Sequence, residues 1–517
     1  MHPLDLVVIL VYLVLSVAIG LHFSKRNRST ERYFLGGRNF PGWAIGLSFI
    51  GSTISSVTFI AYPADSFKTA WLRLMPNFAF PVIVLLACYA FIPFFRRGTV
   101  HSAYHYLYLR FGPLVSVYAA HVYLLAQVVR AATITYLLAV LVSSMTGLPV
   151  VACIVLSAGL TALYTIKGGF EAVVWTDVIQ TIVLVAGAIA CVVFVVQALP
   201  GGLAQVFSEA LAAGKISFRD LDPGTGMLEA VPTGFSFTEK TAVMLVFVGA
   251  SNYIAGQLDQ DSVQRWCSAR SAREARKSMF VLGFGALPIW TGFMFLGTCL
   301  WVYYQHFPTP TSVEVLANAR KAEDILPHFI VTVLPPGLAG LVVSAALAAA
   351  MASLSSCINA SGMVWINDIY RRYLAPGKGD EHYLRAGHRT SLVFALLMTG
   401  GAYVFYAAST KTIMEFVIIV TALFGGGISG AFLFGMLTRW GDARAVVAGI
   451  VVTLAFTFCA LLMQFGVLPR AFNPYYTSIL ANLIMFGTCC LAAWLLPRPT
   501  RDLRNLTVWD QSKESLV

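Results

Sequence analysis

The sequence predicts an all-α integral membrane protein, and its composition gives the first reason. Of its 517 residues, 58% are hydrophobic and only 11% are charged, whereas soluble domains carry about 25% charged residues. The apolar residues also cluster in segments of about 20, the length that an α-helix needs to cross a bilayer. We therefore predict about thirteen transmembrane helices in one membrane domain over residues 1–517, embedded in the lipid bilayer.

Each predicted helix is centred on one apolar segment. The centres lie near residues 15, 53, 86, 130, 157, 185, 248, 290, 350, 397, 424, 454 and 485. The longest gaps, residues 200–238 and 307–326, are predicted outer loops, with a short amphipathic helix near residues 203–213. An odd number of spans places the two ends of the chain on opposite sides of the membrane.

The basic residues predict which end faces the cytoplasm, because short cytoplasmic loops carry an excess of Lys and Arg. With the N-terminus outside, 25 of the 35 Lys and Arg residues fall on the cytoplasmic side, including those of residues 265–277, and 9 fall outside. We therefore expect a plasma-membrane protein with its C-terminus in the cytoplasm. This bias explains the net charge of +11 without a nucleic-acid partner.

Two of the predicted spans are poor continuous helices. Around residue 53 the segment GLSFIGSTISSVTFIAYP contains two Gly, six Ser or Thr and a terminal Pro63, and around residue 251 the segment GASNYIAGQ is similarly interrupted. Paired interrupted helices are typical of transporters, because unwound carbonyls can coordinate a cation and half-helix ends can face a substrate. Five spans separate the two segments, which suggests that they occupy corresponding positions of two halves.

A run of small and hydroxyl-bearing residues, AAAMASLSSCINAS, occupies residues 348–361 within a predicted span. A hydroxyl group in hydrocarbon must find a polar partner, so Ser353, Ser355 and Ser356 indicate a packed helix interface or a polar cavity. A cation site is the strongest candidate for that cavity. For any one of these serines, a hydrogen bond to its own i−4 carbonyl is an equal alternative.

Asp177 lies about one turn into the sixth predicted span. A buried carboxylate must be protonated or paired with a cation. One interpretation is an interfacial acid that reaches headgroup water. The other is that Asp177 and the serine cluster contribute oxygens to one sodium site.

Arg130 falls at the centre of its predicted span, where an ionised Arg costs on the order of 2.5–3.5 kcal/mol on insertion scales. Such a cost requires a partner. The partner is either an intramembrane acid in a structural pair or a substrate carboxylate held by the planar guanidinium, and we favour the second. No combination of nucleophile, base and orienting residue is evident, so we expect no enzyme and no catalytic residue.

Several segments together resemble the sodium:solute symporter family, which includes sodium/sugar, sodium/proline and sodium/sialic acid transporters. They are RYFLGGRNFPGWAIGLSFIGSTIS, RFG at 110–112, GGFEAVVWTDVIQ, VQRWCSARSAREARKS and AALAAAMASLSSCINASGMVWINDIYRRY. The resemblance implies the LeuT fold, with ten core helices in two inverted repeats at about residues 40–200 and 238–437. Additional helices would lie at residues 5–24, 442–466 and 474–496, followed by a polar, poorly ordered cytoplasmic tail at 498–517.

The resemblance also implies where sodium binds. The residues that match the family's shared sodium site are Gly51, Ile54, Ala349, Ala352 and Ser353. Ala352 departs from the pattern, because the family usually has a second hydroxyl there. Members with a second sodium use an acid of the sixth span and nearby serines, which Asp177, Ser355 and Ser356 match.

The substrate would lie near the middle of the membrane, beside the interrupted helices. The residues expected there are Thr53, Ser55, Ser56, Thr58 and Asn252. Arg130 falls where sialic-acid-type members place their carboxylate-binding Arg, which favours a small organic acid such as sialic acid or a related sugar acid. Sodium-coupled symport of a neutral sugar, an amino acid or a monocarboxylate, and a proton-coupled carrier, remain alternatives. We expect a monomer.

Overall fold

The computed structural model describes residues 1–96, 102–222, 227–408, 427–497, 503 and 505–509. The described chain is predominantly helical. The helices up to residue 212 are α1 (Pro3–Ser24), α2 (Thr30–Leu35), α3 (Gly42–Thr53), α4 (Ser56–Lys68), α5 (Phe80–Leu86), α6 (Ile92–Phe95), α7 (Ala103–Phe111), α8 (Pro113–Thr146), α9 (Val150–Ala198) and α10 (Gly202–Ala212).

A small antiparallel hairpin, β1 (Arg219–Leu221) and β2 (Leu228–Ala230), precedes the remaining helices. These are α11 (Ala242–Gln257), α12 (Gln260–Ser268), α13 (Ala272–His306), α14 (Pro310–Leu316), α15 (Ile325–Thr332), α16 (Leu338–Val364), α17 (Asp380–Ala407), α18 (Ile428–Leu437), α19 (Ala443–Gln464) and α20 (Thr477–Leu495). Shorter 3₁₀ or π-helical segments are Gly36–Arg38, Trp71–Ala79, Ala87–Phe91, Ala322–Asp324, Trp365–Leu374 and Pro474–Tyr476.

Within the described ranges, nine helices are long and apolar enough to cross a membrane. The bent pair formed by α3 and α4 brings this number to ten. The prediction of a multi-span helical membrane protein is thereby confirmed, and α10 confirms the short helix predicted near residues 203–213. The centre of the predicted span near residue 424 lies outside the described residues.

The interruption predicted near residue 53 is confirmed. Helix α3 ends at Thr53, and the backbone is extended at Ile54 (φ −89°, ψ 91°) and Ser55 (φ −81°, ψ 170°) before α4 begins. The axes of the two segments differ by 59°. Pro63 does not end the second segment, because it lies inside α4.

The second interruption was predicted in the wrong place. Helix α11 continues through residue 251 to Gln257, and the break falls at Leu258 and Asp259, before α12 begins. Gly249 serves close packing, since a Cβ atom there would lie 2.0 Å from the Pro76 carbonyl oxygen. At this break a side chain takes the place of the carbonyl that a backbone amide would bind within a helix. The Asp259 carboxylate accepts a hydrogen bond of 2.8 Å from the Gln260 amide and so caps α12.

A single glycine kinks the long helix α9 between its two halves. Gly169 has φ +60°, and a Cβ atom at this position would approach the Tyr33 carbonyl oxygen to 2.7 Å. Only glycine combines this backbone conformation with such a close contact at little cost. The spans predicted at residues 157 and 185 are therefore the two arms of one kinked helix.

Helix α16 is the most buried of the candidate spans in the described chain, because 94% of its apolar 18-residue stretch is buried. It packs against α9, α8 and α1. Its small residues permit this approach, as at Ala345, whose Cβ would lie 2.6 Å from a Cβ added to Gly187 of α9. Asp5 of α1 caps the N-terminus of α16 by accepting hydrogen bonds from the Gly337 and Gly340 amides, at 2.6 and 2.9 Å.

Lys215, in the loop after α10, binds the C-terminal end of α4. Its ammonium donates hydrogen bonds to the carbonyl oxygens of Phe67 (2.8 Å) and Thr69 (2.9 Å) and lies 5.0 Å from the ring centroid of Trp301. Burial lowers the pKa of Lys215 to about 7. This buried side chain ties the second half of the first broken helix to the loop after α10.

Part of the C-terminal tail is packed, contrary to the expectation of a poorly ordered segment. Thr507 is buried, the Val508 amide donates to the Met436 carbonyl (2.9 Å), and the Trp509 indole donates to the Leu437 carbonyl (2.7 Å). The apolar side chains in NLTVW give this stretch a surface that can pack against α18. Residues 498–502, 504 and 510–517 lie outside the described residues.

Candidate functional site

The break after α3 faces α16 at Ser353. The Ser353 hydroxyl lies 3.3 Å from the Ser52 carbonyl oxygen of α3 and 3.2 Å from the Ala349 carbonyl oxygen of its own helix. One hydroxyl proton can serve only one of these carbonyls at a time. The site therefore brings together more oxygen acceptors than protein donors, which is the arrangement that a cation can complete.

Gly51 allows the two helices to approach here. A Cβ atom on Gly51 would lie 2.7 Å from the Thr181 hydroxyl and 3.6 Å from the Ala352 Cβ atom. The last turn of a helix leaves carbonyls without intrahelical donors, so the end of α3 supplies oxygens beside Ser353. Ile54 closes the site from the break and is fully buried.

Two of the residues matched to this site carry no side-chain oxygen. Ala349 and Ala352 are buried on α16, and the Ala352 carbonyl accepts a hydrogen bond of 3.0 Å from the Ser355 hydroxyl. The Ser353 hydroxyl is thus the one side-chain oxygen among the five matched residues. The remaining ligands would be carbonyls of α3 and α16.

Asp177 forms a buried ion pair with Arg265. The Asp177 Oδ2 atom lies 3.3 Å from Arg265 Nη2, with side-chain exposures of 0% and 2%. The Ser48 hydroxyl donates to the same carboxylate oxygen at 2.6 Å and accepts from Arg265 Nε at 3.2 Å. The expectation that Arg265 belongs to a cytoplasmic loop was wrong, because α12 carries it into the helix bundle, where it pairs with Asp177.

Ser355 and Ser356 approach this ion pair from α16. The Ser355 hydroxyl lies 3.5 Å from Asp177 Oδ1, and the Ser356 hydroxyl accepts a hydrogen bond of 2.7 Å from Arg265 Nη2. Because Ser48 and Arg265 bind Oδ2, the Oδ1 atom retains acceptor capacity. The group therefore offers a carboxylate oxygen and two hydroxyls, with a guanidinium that already balances the charge.

A cavity of about 180 Å³ opens between the two broken helices. Residues of α3, α5, α8, α11, α12 and α13 contribute to its wall. They are Phe49, Ser52, Thr53, Phe80, Arg130, Tyr253, Gly256, Gln257, Asp259, Asp261, Ser262, Arg265 and Leu282. The wall thus combines aromatic faces with two arginines and two carboxylates, which is the composition of a polar ligand pocket.

Arg130 reaches this cavity from α8. Its Nη1 atom lies 3.5 Å from Asp261 Oδ2, and its side chain is 44% exposed. Tyr123 and Gln127, on the same face of α8, donate to the Asp261 carboxylate at 3.2 and 3.5 Å. Asp261 is thus held by three groups of α8, and Arg130 is both an ion-pair partner and part of the cavity wall.

The other residues expected around the substrate divide into two groups. Thr53 lines the cavity, whereas Ser55, Thr58 and Asn252 are not part of its wall. Asn252 is exposed on α11. Its neighbour Tyr253 faces the cavity instead and donates a hydrogen bond of 2.7 Å to Asn77 Oδ1. The side chain of Ser56 lies outside the described part of the structure.

Four polar residues at these sites were missed from the sequence: Ser48, Asp259, Asp261 and Arg265. The segment LDQDSVQR contains three of them within seven positions. Two acids and an arginine directly after an apolar span were a usable signal for a polar break. The assignment of Arg265 to a cytoplasmic loop concealed it.

The sequence model of the sodium:solute symporter family matches residues 33–454, which is most of the chain. Over 449 residues the chain is 30% identical to the sodium/sialic acid symporter SiaT of Proteus mirabilis, covering 86% of each protein. It is 29% identical over 458 residues to the sodium/sialic acid symporter NanT of Aliivibrio fischeri, covering 87% of this chain and 86% of that protein.

The fold is also similar to that of a solved structure. A sodium-coupled sialic acid symporter in a substrate-bound, outward-open state superposes with a TM-score of 0.84 and 28% identity, covering 97% of this chain and all of that chain. The family and these relatives confirm the expectation of a sodium-coupled transporter in place of an enzyme. The chain belongs to the sodium:solute symporter family, and its function is the sodium-coupled symport of a small organic solute.

Proposed function

We propose that the transported solute carries a carboxylate group and that Arg130 binds it. The observation that carries this proposal is the Arg130 side chain, which is 44% exposed, lines the cavity and has one acidic partner at 3.5 Å. A planar guanidinium has five N–H donors arranged to bind carboxylates through two parallel hydrogen bonds. Asp261 alone leaves donors for a second carboxylate.

Sialic acid or a related sugar acid is the solute that best fits this site. Two relatives named for sialic acid cover most of this chain, and polar residues around Arg130 can bind hydroxyl groups of a sugar acid. We place the rest of the solute near Thr53, with Ser55, Ser56, Thr58 and Asn252 approaching it in other states of the transport cycle. A neutral sugar, an amino acid or a monocarboxylate is the alternative.

Two sodium ions would accompany each solute molecule. The first site comprises Gly51, Ile54, Ala349, Ala352 and Ser353, supported by the oxygen-rich contact between Ser353 and the end of α3. The second comprises Asp177, Ser355 and Ser356, supported by the available Oδ1 atom beside the Ser355 hydroxyl. A cation at the second site enters next to Arg265, so we expect it to bind the more weakly of the two.

The charge of the solute makes a second ion valuable. Each sodium ion that moves inward through 100 mV gains about 2.3 kcal/mol, and a tenfold gradient adds about 1.4 kcal/mol. When a monovalent anion moves together with one sodium ion, the net charge moved is zero, so the membrane potential contributes nothing to uptake. A second sodium ion restores one net positive charge and with it the contribution of the potential.

We further propose thirteen spans in a LeuT-type arrangement of two inverted five-helix repeats. Support comes from the ten candidate spans, from the division of α9 at Gly169, and from the shorter apolar helices α11 and α18. The two breaks, one after α3 and one after α11, both contribute residues to the wall of one cavity. The loop charges support an N-terminus outside and a C-terminus inside the plasma membrane, and we expect the protein to act as a monomer.

A ligand screen on purified protein tests the proposed substrate class. Melting temperatures would be measured with sialic acid, glucose, proline and lactate, each in sodium and in choline chloride. We expect sialic acid to stabilise the parent only in sodium, Arg130→Lys to lose most of this effect, and Arg130→Ala to lose all of it. Stabilisation by glucose that survives in Arg130→Ala would instead support a neutral solute.

A further inference from the structure

A groove on the outer surface of the helix bundle runs between the first arm of α9 and α17. Its volume is about 610 Å³, within the range of roughly 300–1,000 Å³ that is typical of ligand pockets. It is lined by small residues, among them Gly159, Ala162 and Ala395, and by exposed leucines such as Leu163 and Leu396. A Cβ atom added to Gly159 would meet no other atom within 4 Å.

One end of this groove is basic. Lys167 of α9 and His388 and Arg389 of α17 lie there, and Lys167 and Arg389 are exposed. Neither forms an ion pair within the described residues, whereas the nearby acids Glu171 and Glu381 are paired with other arginines. The basic end therefore retains positive charge for an external anion.

The length of the groove matches one leaflet of a bilayer. From Lys167 to Val155 the helix rises about 18 Å, and from Arg389 to Thr399 about 15 Å. Half of the hydrocarbon core of a bilayer is also about 15 Å thick. The two helices run in opposite directions, so both basic residues lie at the end of the groove where its apolar part meets the membrane interface.

We propose that this groove binds an anionic phospholipid. One acyl chain would lie along the small residues between α9 and α17, and Lys167 and Arg389 would bind the phosphate group, with His388 beside them. Basic pockets between helices at the cytoplasmic interface are suited to anionic headgroups. The charge pattern selects an anionic lipid over a zwitterionic one, and the apolar length selects a lipid over a free phosphate.

Native mass spectrometry of the purified full chain tests this proposal. The probes are phosphatidylglycerol, phosphatidylcholine and glycerol 3-phosphate, titrated separately and in competition. The charge variant is Lys167→Gln with Arg389→Gln. Its matched control is Arg273→Gln with Lys277→Gln, which removes two exposed basic residues of α13 on the same predicted side. Gly159→Leu fills the groove at a position with open space and so should not disturb folding.

We expect the parent to prefer phosphatidylglycerol to phosphatidylcholine. The charge variant should bind phosphatidylglycerol about twenty-five-fold more weakly, from about fivefold for each of the two basic residues, and the control should bind like the parent. Gly159→Leu should weaken the binding of both lipids. The proposal is overturned if the parent shows no preference, if the control loses as much affinity as the charge variant, or if glycerol 3-phosphate displaces the lipid equally well.

Discussion

Asp177 of α9 and Arg265 of α12 form an ion pair in which Oδ2 and Nη2 are 3.3 Å apart and both side chains are buried. The pair joins the kinked helix to the second broken helix. Ser48 of α3 and Ser356 of α16 complete its hydrogen bonds. Four helices that carry the proposed sodium and solute sites therefore meet at one charged group.

Replacing one member of this pair should lower the stability of the protein more than replacing both. Arg265→Met leaves a buried carboxylate without its cation, a change that costs about 3–5 kcal/mol in protein interiors. The double variant Arg265→Met, Asp177→Asn leaves no unpaired charge, so it should melt at a higher temperature than Arg265→Met alone. Thermal melting in detergent measures this coupling, and purely additive effects would show that the two residues do not stabilise one another.

Ser353 should affect the dependence of transport on sodium more than another serine of the same helix does. The Ser353 hydroxyl contacts the Ser52 carbonyl across the break, whereas Ser344 donates to Gly340 within α16. Ser353→Ala should raise the half-saturating sodium concentration by about tenfold, the effect of losing about 1.4 kcal/mol. Ser344→Ala serves as the control and should leave it unchanged. Equal values for the two variants would remove Ser353 from the proposed site.

Ala352 offers the complementary gain-of-function experiment. It is buried beside Gly51 and carries no hydroxyl, whereas the family resemblance predicts one at this position. Ala352→Ser adds an oxygen ligand, so the half-saturating sodium concentration should fall. Sodium titrations of uptake check this, and an unchanged or raised value would indicate that the carbonyls already complete the site.

Asp261 should weaken the binding of an anionic solute, because its carboxylate and that of the solute compete for the Arg130 guanidinium. Asp261→Asn removes the competing charge and keeps one of the two oxygens, Oδ1 and Oδ2, to which Tyr123 and Gln127 respectively donate. The KM for a carboxylate solute should fall by about tenfold, equivalent to about 1.4 kcal/mol. Uptake kinetics at saturating sodium check this. A raised KM would mean that Asp261 binds the solute or holds Arg130 in its binding position.

Lys215 should make stability depend on pH. Its pKa falls from an ordinary value of 10.5 to about 7 because the ammonium is buried. Between these values the unfolded chain binds more protons than the folded chain, so the free energy of unfolding should rise with pH across this window. The parent should therefore gain melting temperature from pH 7 to pH 9 relative to Lys215→Met. Parallel pH profiles for the two proteins would contradict the lowered pKa.

The sequence predicted the features that depend on local composition. Apolar segments predicted the helices, and the Gly, Ser and Thr residues before Pro63 predicted the break after α3. The second break was displaced because the polar segment near residue 251 remains helical, and because an Asp259 cap is recognisable only once the path of the chain is known. Gly169 was not recognised as a kink, since its positive φ reflects a contact with Tyr33 from a distant segment.

The candidate site was predicted only in part for the same reason. Asp177, Ser355 and Ser356 were chosen as oxygen-bearing groups within spans, and the structure brings them together. Arg265 was not included, because a basic residue just after an apolar segment is ordinarily a loop residue. The pairing of Arg130 with Asp261 joins α8 to α12 across 131 positions of sequence, and no local pattern specifies such a contact.

Uptake of radiolabelled sialic acid into proteoliposomes tests most directly whether sodium drives a carboxylate solute through the Arg130 site. The parent and Arg130→Ala would be compared with an inward sodium gradient and with choline in place of sodium. We expect the parent to accumulate sialic acid above equilibrium in sodium but not in choline. We expect Arg130→Ala to accumulate it above equilibrium in neither medium. Equal accumulation in choline, or undiminished uptake by Arg130→Ala, would contradict it.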